Sequence, residues 1–180
     1  YILATMASKG KIILNNINID DLTFPLEVYQ SMGLKIKQVS TSSYEFSCTN
    51  LKSIKNIKTK EFPGYPTDLQ AQLIASLLKV GQKSNITENI FENRFIHIPE
   101  LRRFGAQLDI VGNTVVINKT NDLFGAEVMA TDIRASFSLI IAAIISKGTT
   151  TINRIYHLDR GYEDFDLKLK KCGVNIKRKK

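Results

Sequence analysis

One pattern recurs three times along this chain: an apolar helix, a glycine, a short strand, a second helix, another glycine and another strand. The glycines that close the apolar stretches lie about 70 residues apart, and each is followed roughly 24 residues later by a second glycine. The first set is Gly10, Gly81 and Gly148, and the second set is Gly33, Gly105 and Gly173. A repeat of this length along the whole chain predicts a fold assembled from three similar α/β units.

The two kinds of helix are expected to occupy different environments. Residues 69–79 and 133–146 are apolar or small on nearly every face, which predicts helices buried in the middle of the fold. The second helices, near residues 26–32, 99–104 and 165–171, alternate apolar and charged residues and should be half exposed. Prolines fit their first turns, at Pro25 and Pro99, and the second set of glycines fits their left-handed closing position.

Strands are predicted after the second glycines, at residues 34–39, 107–111 and 174–177. Gly112-Asn113 offers a tight hairpin turn into residues 114–118, so the sheets should be mixed. We therefore expect an α/β (α+β) fold in one domain, residues 1–180, with repeats at approximately 1–61, 62–125 and 126–180.

Composition supports a single globular core. The chain has 180 residues, of which 43% are hydrophobic, and no run of eighteen apolar residues that would cross a membrane. It opens on Tyr1 inside an apolar stretch without a secretory leader, and we expect it to be part of a longer polypeptide. Cys48 and Cys172 are too few for a disulfide framework or a zinc site, which favours packing roles in a reducing cytoplasm.

The net charge of +8 is compatible with nucleic acid, an anionic membrane surface or phosphorylated small molecules. The lysines are scattered, and no segment interleaves aromatic residues with arginines, which disfavours a nucleic-acid surface. His97 and His157 lack the neighbouring ligands that a metal site needs, so they are expected to pack or to anchor loops. Charge alone does not choose between a membrane surface and phosphorylated small molecules.

Two of the apolar helices open with a similar motif, TDLQA at 67–71 and TDIRA at 131–135. Asp68 and Asp132 allow two interpretations. A carboxylate at a helix start complements the positive helix end, and Thr67 with Gln70 would form a capping box. A carboxylate held at the mouth of a cleft can instead accept a proton from a substrate hydroxyl.

Three arginines form a second candidate set. Arg94 and Arg160 lie in corresponding loops of repeats two and three, and Arg134 follows Asp132. Loops at equivalent positions of repeated units fall on one rim, so Arg94 and Arg160 could face one ligand. Guanidinium groups bind carboxylates and phosphates through paired hydrogen bonds. The alternative is a set of local salt bridges to acidic neighbours, namely Glu92, Asp159 and Glu163.

Four strings make the chain recognisable: PTDLQAQ at 66–72, ITENIFENRF at 86–95, MATDIRAS at 129–136 and RIYHLDRGYE at 154–163. Together they closely resemble the bacterial UDP-N-acetylglucosamine enolpyruvyl transferase family. The resemblance covers essentially the whole chain and is strongest from Phe62 onward, but it corresponds only to the C-terminal part of such an enzyme.

The resemblance implies a domain of three βαβαββ units packed as an inside-out barrel with its helices at the centre. It also implies a reaction that joins the enolpyruvyl group of phosphoenolpyruvate to the 3-hydroxyl of UDP-N-acetylglucosamine and releases phosphate. This reaction is the committed step of peptidoglycan synthesis, which links the family to cell wall biogenesis, cell shape and cell division in the cytoplasm. No metal or organic cofactor is implied.

Residue roles follow from the matching motifs. The resemblance implies that Asp68 contacts the sugar hydroxyl and takes its proton, while Asp132 helps to position the reacting groups. It implies that Ile90 lines the UDP-N-acetylglucosamine site through its backbone. The three arginines would bind the carboxylate and phosphate of phosphoenolpyruvate: Arg94, Arg134 and Arg160.

Other features depart from the family pattern. Its general acid, usually a cysteine on a mobile loop of the other domain, has no counterpart here, and its catalytic lysine is also missing. Without the N-terminal domain as a partner, we expect this chain alone to be inactive. Three alternatives stay open: an enolpyruvylshikimate-phosphate-synthase-like enzyme, a noncatalytic remnant of a split or broken gene, and a nucleic-acid end-processing enzyme. The FENRF and DRGYE strings favour the UDP-sugar enzyme over the first of these.

Overall fold

The protein, seen in a computed structural model that describes residues 1–179, alternates helices and short strands along its whole length. The helices are, in chain order, α1 (Ile2–Ala7), α2 (Thr23–Ser31), α3 (Gln70–Leu77), α4 (Ile98–Arg103), α5 (Ile133–Ile145), α6 (Tyr156–Asp159) and α7 (Phe165–Lys171). The strands are β1 (Lys11–Leu14), β2 (Lys35–Ser40), β3 (Ser43–Ser47), β4 (Asn56–Lys58), β5 (Ser84–Thr87), β6 (Leu108–Val111), β7 (Thr114–Ile117), β8 (Glu127–Met129) and β9 (Thr151–Asn153). Short 3-10 helices cover Asp20–Leu22 and Thr67–Leu69.

The three apolar helices α1, α3 and α5 pack against one another at the centre of the fold. The buried position predicted for residues 69–79 and 133–146 is confirmed, and α1 joins these helices. Every residue of α3 is buried, and so are Ile2–Met6 of α1 and residues 135–142 of α5. Their buried serines donate hydrogen bonds to carbonyl groups one turn earlier, namely Ser76, Ser136 and Ser138. The hydroxyl groups of these serines are therefore satisfied within the hydrophobic central layer.

The outer helices α2, α4 and α7 are half exposed, which confirms the second prediction for the repeats. Pro25 and Pro99 lie in the first turns of α2 and α4, where no intrahelical donor is lost. Each outer helix is followed by a glycine with positive φ, at Gly33, Gly105 and Gly173. That conformation ends a helix with little strain only when the residue has no Cβ.

The strands form three separate sheets. The first has the order β1-β3-β2 and is antiparallel, and the last pairs β8 with β9 in parallel. The middle sheet has the order β4-β5-β7-β6, with β4 parallel to β5 and the other pairs antiparallel, so it is mixed as expected. Val111 pairs with Thr114 across the predicted Gly112-Asn113 turn.

The third repeat departs from the other two, because the strand predicted at residues 174–177 does not form. In the first two repeats the corresponding strands, β2 and β6, pair with the strand that follows them through a hairpin. Residues 174–177 belong to none of the sheets described within residues 1–179. The end of this segment is fixed by Arg178, whose guanidinium bonds Asp159 at 2.7 Å and Asp166 at 3.2 Å.

Two parallel βαβ units bring the starts of the central helices together. The strand β4 precedes α3 and pairs with β5, and β8 precedes α5 and pairs with β9. Because α3 packs along α5, the segments that lead into these two helices come close at one rim. Asp68 and Asp132 lie on these segments. None of the helices within residues 1–179 has the length and apolar character needed to span a membrane.

Candidate active site

Asp68 is the centre of an ionic cluster on this rim. It lies on the 3-10 helix that leads into α3, and its Oδ1 accepts a hydrogen bond from Arg94 Nη1 at 3.0 Å. The same oxygen accepts a second hydrogen bond from Arg134 Nε. The partners are 26 and 66 residues away in the sequence, so the fold brings together three residues that the sequence marked separately. We refer to Asp68, Arg94 and Arg134 as the Asp68 cluster.

The Asp68 cluster is open to solvent on one side. The side chains of Asp68 and Arg134 are 56% and 43% exposed, whereas that of Arg94 is 19% exposed. Partial burial by itself would raise the pKa of Asp68, but the hydrogen bonds and charges of Arg94 and Arg134 outweigh it and lower the pKa below its ordinary value. Asp68 is therefore a carboxylate at neutral pH, and two cations are fixed beside it.

Arg94 is positioned from both of its ends. It lies in the loop between β5 and α4, and its carbonyl oxygen accepts a hydrogen bond from Gln70 Nε2 at 3.2 Å. Its guanidinium lies over the ring of Phe91, 4.4 Å from the centroid, which favours the charged group electrostatically. The loop is thus tied to the first residue of α3, the helix that Asp68 precedes.

Asp132 caps the helix that carries Arg134. Its Oδ1 accepts hydrogen bonds from the backbone N–H groups of Arg134 at 2.7 Å and Ala135 at 2.9 Å, which are otherwise unpaired at a helix start. The capping interpretation of Asp132 is confirmed. This cap also fixes where α5 begins and so where Arg134 leaves the backbone.

The capping box predicted for Thr67 and Gln70 is wrong. Thr67 Oγ1 does not accept from a helix N–H; it donates to Glu88 Oε2 at 2.7 Å, and the Gln70 side chain bonds the Arg94 backbone instead. A hydrogen bond donated to a charged carboxylate is stronger than one accepted from a neutral backbone N–H, which favours the orientation of Thr67 towards Glu88. Asp68 likewise pairs with arginines and makes no cap for α3.

Glu88 is the polar residue at this rim that sequence reasoning did not single out. It follows β5, is buried to 3% exposure, and accepts four hydrogen bonds through its two carboxylate oxygens. The only sequence signal is an acidic residue directly after a buried strand, inside the ITENIFENRF string. Its hydroxyl partners lie 29 and 21 residues earlier, at distances along the chain that no local pattern reveals.

Ile90 lies in the loop between Glu88 and Arg94 and is half-buried. Its backbone N–H donates to Glu88 Oε1 at 2.8 Å, so this group is already held by the protein. The structure therefore fixes the backbone of Ile90 close to the Asp68 cluster through Glu88.

Arg160 takes no part in the Asp68 cluster through any hydrogen bond or ion pair among the described residues. It is exposed at the end of α6, beside a cavity of about 630 Å³ whose lining includes Tyr162 and Arg178. Its neighbour Gly161 packs against Ile133, since a Cβ at this glycine would lie 2.7 Å from Ile133 Cγ2. The Arg160 loop thus abuts the first residue of α5, next to Arg134.

The local salt bridges proposed for the arginines are absent from residues 1–179, and acidic neighbours have other partners. Arg94 bonds Asp68, not Glu92. Asp159 and Glu163 are bound by Arg178 and Lys168, at 2.7 Å and 3.1 Å. Arg160 consequently keeps its guanidinium clear of both predicted partners.

Tyr162 connects the Arg160 loop with the central helices. Its hydroxyl accepts from Gln72 Nε2 at 3.4 Å, and its ring stacks on Phe137 at 4.5 Å between centroids. Burial raises the pKa of Tyr162, with opposing contributions from Gln72 and Arg134. The phenol is therefore neutral and lies within electrostatic reach of the Asp68 cluster.

The histidines and cysteines lie outside the Asp68 cluster. His97 is buried, as expected of a packing residue, and His157 is half-buried with its ring 4.2 Å from that of Tyr156. Cys48 is buried, but Cys172 is exposed at the end of α7, so the packing role predicted for it is wrong. Over residues 1–179, no group of three or more His, Cys, Asp or Glu side chains is placed to hold a metal ion.

Comparison with known proteins gives one consistent set of relatives. The sequence profile of EPSP synthase (3-phosphoshikimate 1-carboxyvinyltransferase) matches residues 1–169. The chain is 46% identical to the UDP-N-acetylglucosamine 1-carboxyvinyltransferases of Bartonella henselae and Pelagibacter ubique, over 99% of its own length and 42% of theirs. Among solved structures, the enolpyruvyl transferase NikO from Streptomyces tendae superimposes with a TM-score of 0.82 at 22% identity, covering 98% of this chain and 43% of that one. The NikO likeness supports the enolpyruvyl transferase fold, and the chain spans less than half the length of the curated relatives it matches.

Proposed function

Since this chain belongs to the EPSP synthase family, we propose that it forms part of an enzyme that transfers the enolpyruvyl group of phosphoenolpyruvate to UDP-N-acetylglucosamine. The acceptor atom would be the 3-hydroxyl oxygen of the sugar, and phosphate would be released. The choice of acceptor follows the relatives with 46% identity, which carry the name UDP-N-acetylglucosamine 1-carboxyvinyltransferase.

The Asp68 cluster is the observation that carries this proposal. A carboxylate that is ionised at neutral pH lies within hydrogen-bonding distance of two guanidinium groups on an open rim. Transfer of an enolpyruvyl group needs a base aimed at a hydroxyl and fixed cations for a highly charged anion. This cluster supplies both from three separate segments of the fold.

The arginines are well suited to hold phosphoenolpyruvate. Asp68 bonds one nitrogen of Arg94 and one of Arg134, so each planar guanidinium keeps further N–H donors for the carboxylate or phosphate of the substrate. We assign the same role to Arg160, whose loop packs against the start of α5. Paired donors fix the orientation of the anion as well as its position.

Asp68 would act as the base in the addition step. It takes the proton of the sugar 3-hydroxyl while the oxygen forms a bond to C2 of phosphoenolpyruvate, and C3 accepts a proton from a general acid. In the second step C3 returns a proton to the deprotonated general acid, the double bond between C2 and C3 re-forms, the bond from C2 to the phosphate oxygen breaks, and phosphate leaves. Binding of the anion would draw Arg94 and Arg134 away from Asp68, and this would raise the pKa of Asp68 and strengthen it as a base.

Other parts of the reaction need more than this chain offers. Neither Cys48 nor Cys172 belongs to the Asp68 cluster, so we place the general acid in the portion of the relatives outside the aligned 42%. Ile90 would contact the UDP-sugar through backbone atoms other than its N–H, which donates to Glu88. Asp132 would help to align the reactants by fixing Arg134. Turnover would therefore require the full-length enzyme. Its product would enter peptidoglycan synthesis in the cytoplasm, with consequences for cell shape and division.

A second acceptor is the alternative. The matching family profile carries the name 3-phosphoshikimate 1-carboxyvinyltransferase, and that reaction uses the same donor. The Asp68 cluster alone does not distinguish a sugar hydroxyl from a shikimate hydroxyl. The acceptor is therefore what the experiment must decide.

A chimera would test the proposal, with this chain replacing the aligned 42% of the Bartonella henselae relative. Phosphate release from phosphoenolpyruvate is measured with UDP-N-acetylglucosamine and, separately, with shikimate 3-phosphate. We expect release only with UDP-N-acetylglucosamine. Release with shikimate 3-phosphate would assign the second acceptor, and a folded chimera that is inactive with both would contradict enzymatic function.

A further inference from the structure

Glu88 is a buried carboxylate at the rim to which the proposed reaction gives no role. It is 3% exposed and lies directly after β5. Its Oε2 accepts a hydrogen bond from Thr67 Oγ1 at 2.7 Å. Its Oε1 accepts from Thr59 Oγ1 at 2.8 Å and from the backbone N–H groups of Ile90 and Phe91 at 2.8 and 3.2 Å. A buried carboxylate with four donors is a built feature, because an unpaired one would be strongly unfavourable.

The two carboxylate oxygens of Glu88 face two different parts of the site. Thr67 directly precedes Asp68 on the 3-10 helix, so Oε2 holds the turn that carries the base. Ile90 and Phe91 lie on the loop that carries Arg94, and the Phe91 ring supports the Arg94 guanidinium. One side chain thus joins the segment of Asp68 to the segment of its partner.

Glu88 itself is held firmly. Its backbone N–H donates to the Asn113 carbonyl at 2.8 Å, and its carbonyl accepts from Asn113 Nδ2 at 3.1 Å. Thr59 Oγ1, while donating to Glu88, accepts from the backbone N–H of Asn89 at 2.8 Å. The β6–β7 hairpin turn and the end of β4 therefore fix the carboxylate from behind.

We propose that Glu88 is a positioning residue for the Asp68 cluster, fixing the turn of Asp68 against the loop of Arg94 through its hydrogen bonds to Thr67, Ile90 and Phe91. All four partners donate, and a carboxylate, which only accepts, matches them. The geometric part of this inference stands on these contacts. The effect of Glu88 on turnover rests on the proposed function.

If Glu88 only stabilised the fold, the loss of either threonine donor would have the same effect on Asp68. Thr67 and Thr59 allow this to be tested. Thr67→Val removes the bond to the Asp68 turn, and Thr59→Val removes a bond of nearly equal length to the same carboxylate. Each variant deletes one hydroxyl at constant shape, and Thr59→Val also removes the acceptor of the Asn89 backbone N–H. Only the first loosens the segment that carries Asp68.

The first readout needs no enzymatic activity. The pKa of Asp68 is measured by NMR of its labelled carboxyl carbon in the chain and in both variants, with urea unfolding as the measure of stability. We expect Thr67→Val to raise the pKa of Asp68 towards its ordinary value, because the bonds from Arg94 and Arg134 weaken, and Thr59→Val to leave it near that of the parent chain. Equal pKa values of Asp68 in all three proteins, or equal shifts in both variants, would overturn the proposal.

The second readout uses the chimera. Misplacement of a base by about 1 Å can lower turnover by as much as 100-fold, so we expect Thr67→Val to lower kcat at least about tenfold with a smaller change in KM. Thr67→Ser, which restores the hydroxyl, should recover kcat, and Thr59→Val should affect kcat far less. A fall in kcat that follows stability equally in both valine variants would contradict a positioning role. An inactive parent chimera would count against the proposed function alone, since the NMR result decides the role of Glu88 separately.

Discussion

His97 gives a quantitative prediction for how stability depends on pH. It ends the Arg94 loop at the start of α4 and is 1% exposed, and within residues 1–179 neither ring nitrogen has a hydrogen-bond partner. Burial lowers the pKa of His97 from 6.5 to about 4, although the Asp132 carboxylate and the Arg94 backbone favour the charged form. Neither of these groups forms a hydrogen bond to the ring, so burial dominates.

The sign and size of the effect follow from this difference in pKa. A base with a lower pKa in the folded state binds its proton more tightly when unfolded, so the stabilisation is complete above pH 6.5 and is lost as pH falls towards 4. The difference between 6.5 and about 4 corresponds to about 3 kcal/mol once pH is below 4. About 2 kcal/mol of this should already be lost at pH 5.

The assay is urea unfolding of the chain between pH 8 and pH 4.5, followed by circular dichroism. His97→Leu cannot take up a proton, so its free energy of unfolding should fall less over this range than that of the parent chain, by between about 2 and about 3 kcal/mol. His97→Gln serves the same purpose if the leucine variant does not fold, and His157→Leu is the control that keeps His97. Parallel losses of stability in the parent and both His97 variants would refute the reasoning.

Three further predictions concern single contacts. Arg134→Lys in the chimera replaces a planar fork by a point charge and should raise KM for phosphoenolpyruvate at least about tenfold in steady-state kinetics; an unchanged KM would exclude a direct contact. Asp132→Ala removes the cap of α5 and should lower the free energy of unfolding by about 1 kcal/mol in urea, whereas Asp132→Asn should keep most of it. Gly125→Ala would place a Cβ on the Thr149 backbone, so it should lower the free energy of unfolding by about 3 kcal/mol or more and lower the thermal midpoint with it. Gly81→Ala, whose Cβ would meet nothing within 4 Å, should have little effect on either quantity. Similar midpoints for the two alanine variants would contradict the packing described at Gly125.

The layered arrangement of the helices could be predicted because it depends on the residues within each helix. A helix that is apolar on every side, such as α3 or α5, has no stable place except the interior. The Gly112-Asn113 turn and the glycines after the outer helices are equally local signals. Residues 174–177 have the composition of a strand, but a strand also needs a partner, and the local sequence does not show whether one is present.

The site could be predicted only in part, because local sequence does not show which distant residues come together. Asp68 and the arginines stand out through their motifs, but their pairing spans up to 66 residues and depends on how α3 packs on α5. Thr67 shows how a local rule fails: a capping box is plausible in isolation, but the hydroxyl donates a hydrogen bond to the buried Glu88 carboxylate, 21 residues away, and does not cap the helix. Glu88 could not be found from its own neighbours, because the groups that give it a role come from other segments.

The central claim is that the Asp68 cluster supplies the base for enolpyruvyl transfer, and one comparison tests it most directly. The chimera carries either Asp68→Asn or Asp122→Asn, and phosphate release is measured with phosphoenolpyruvate and UDP-N-acetylglucosamine. Asp122 is a matched control, since it is also an exposed carboxylate paired with a cation, Lys147 at 2.7 Å. We predict that Asp68→Asn lowers kcat by about 100-fold or more while Asp122→Asn leaves it unchanged. A folded Asp68→Asn chimera with the turnover of its parent would contradict the claim.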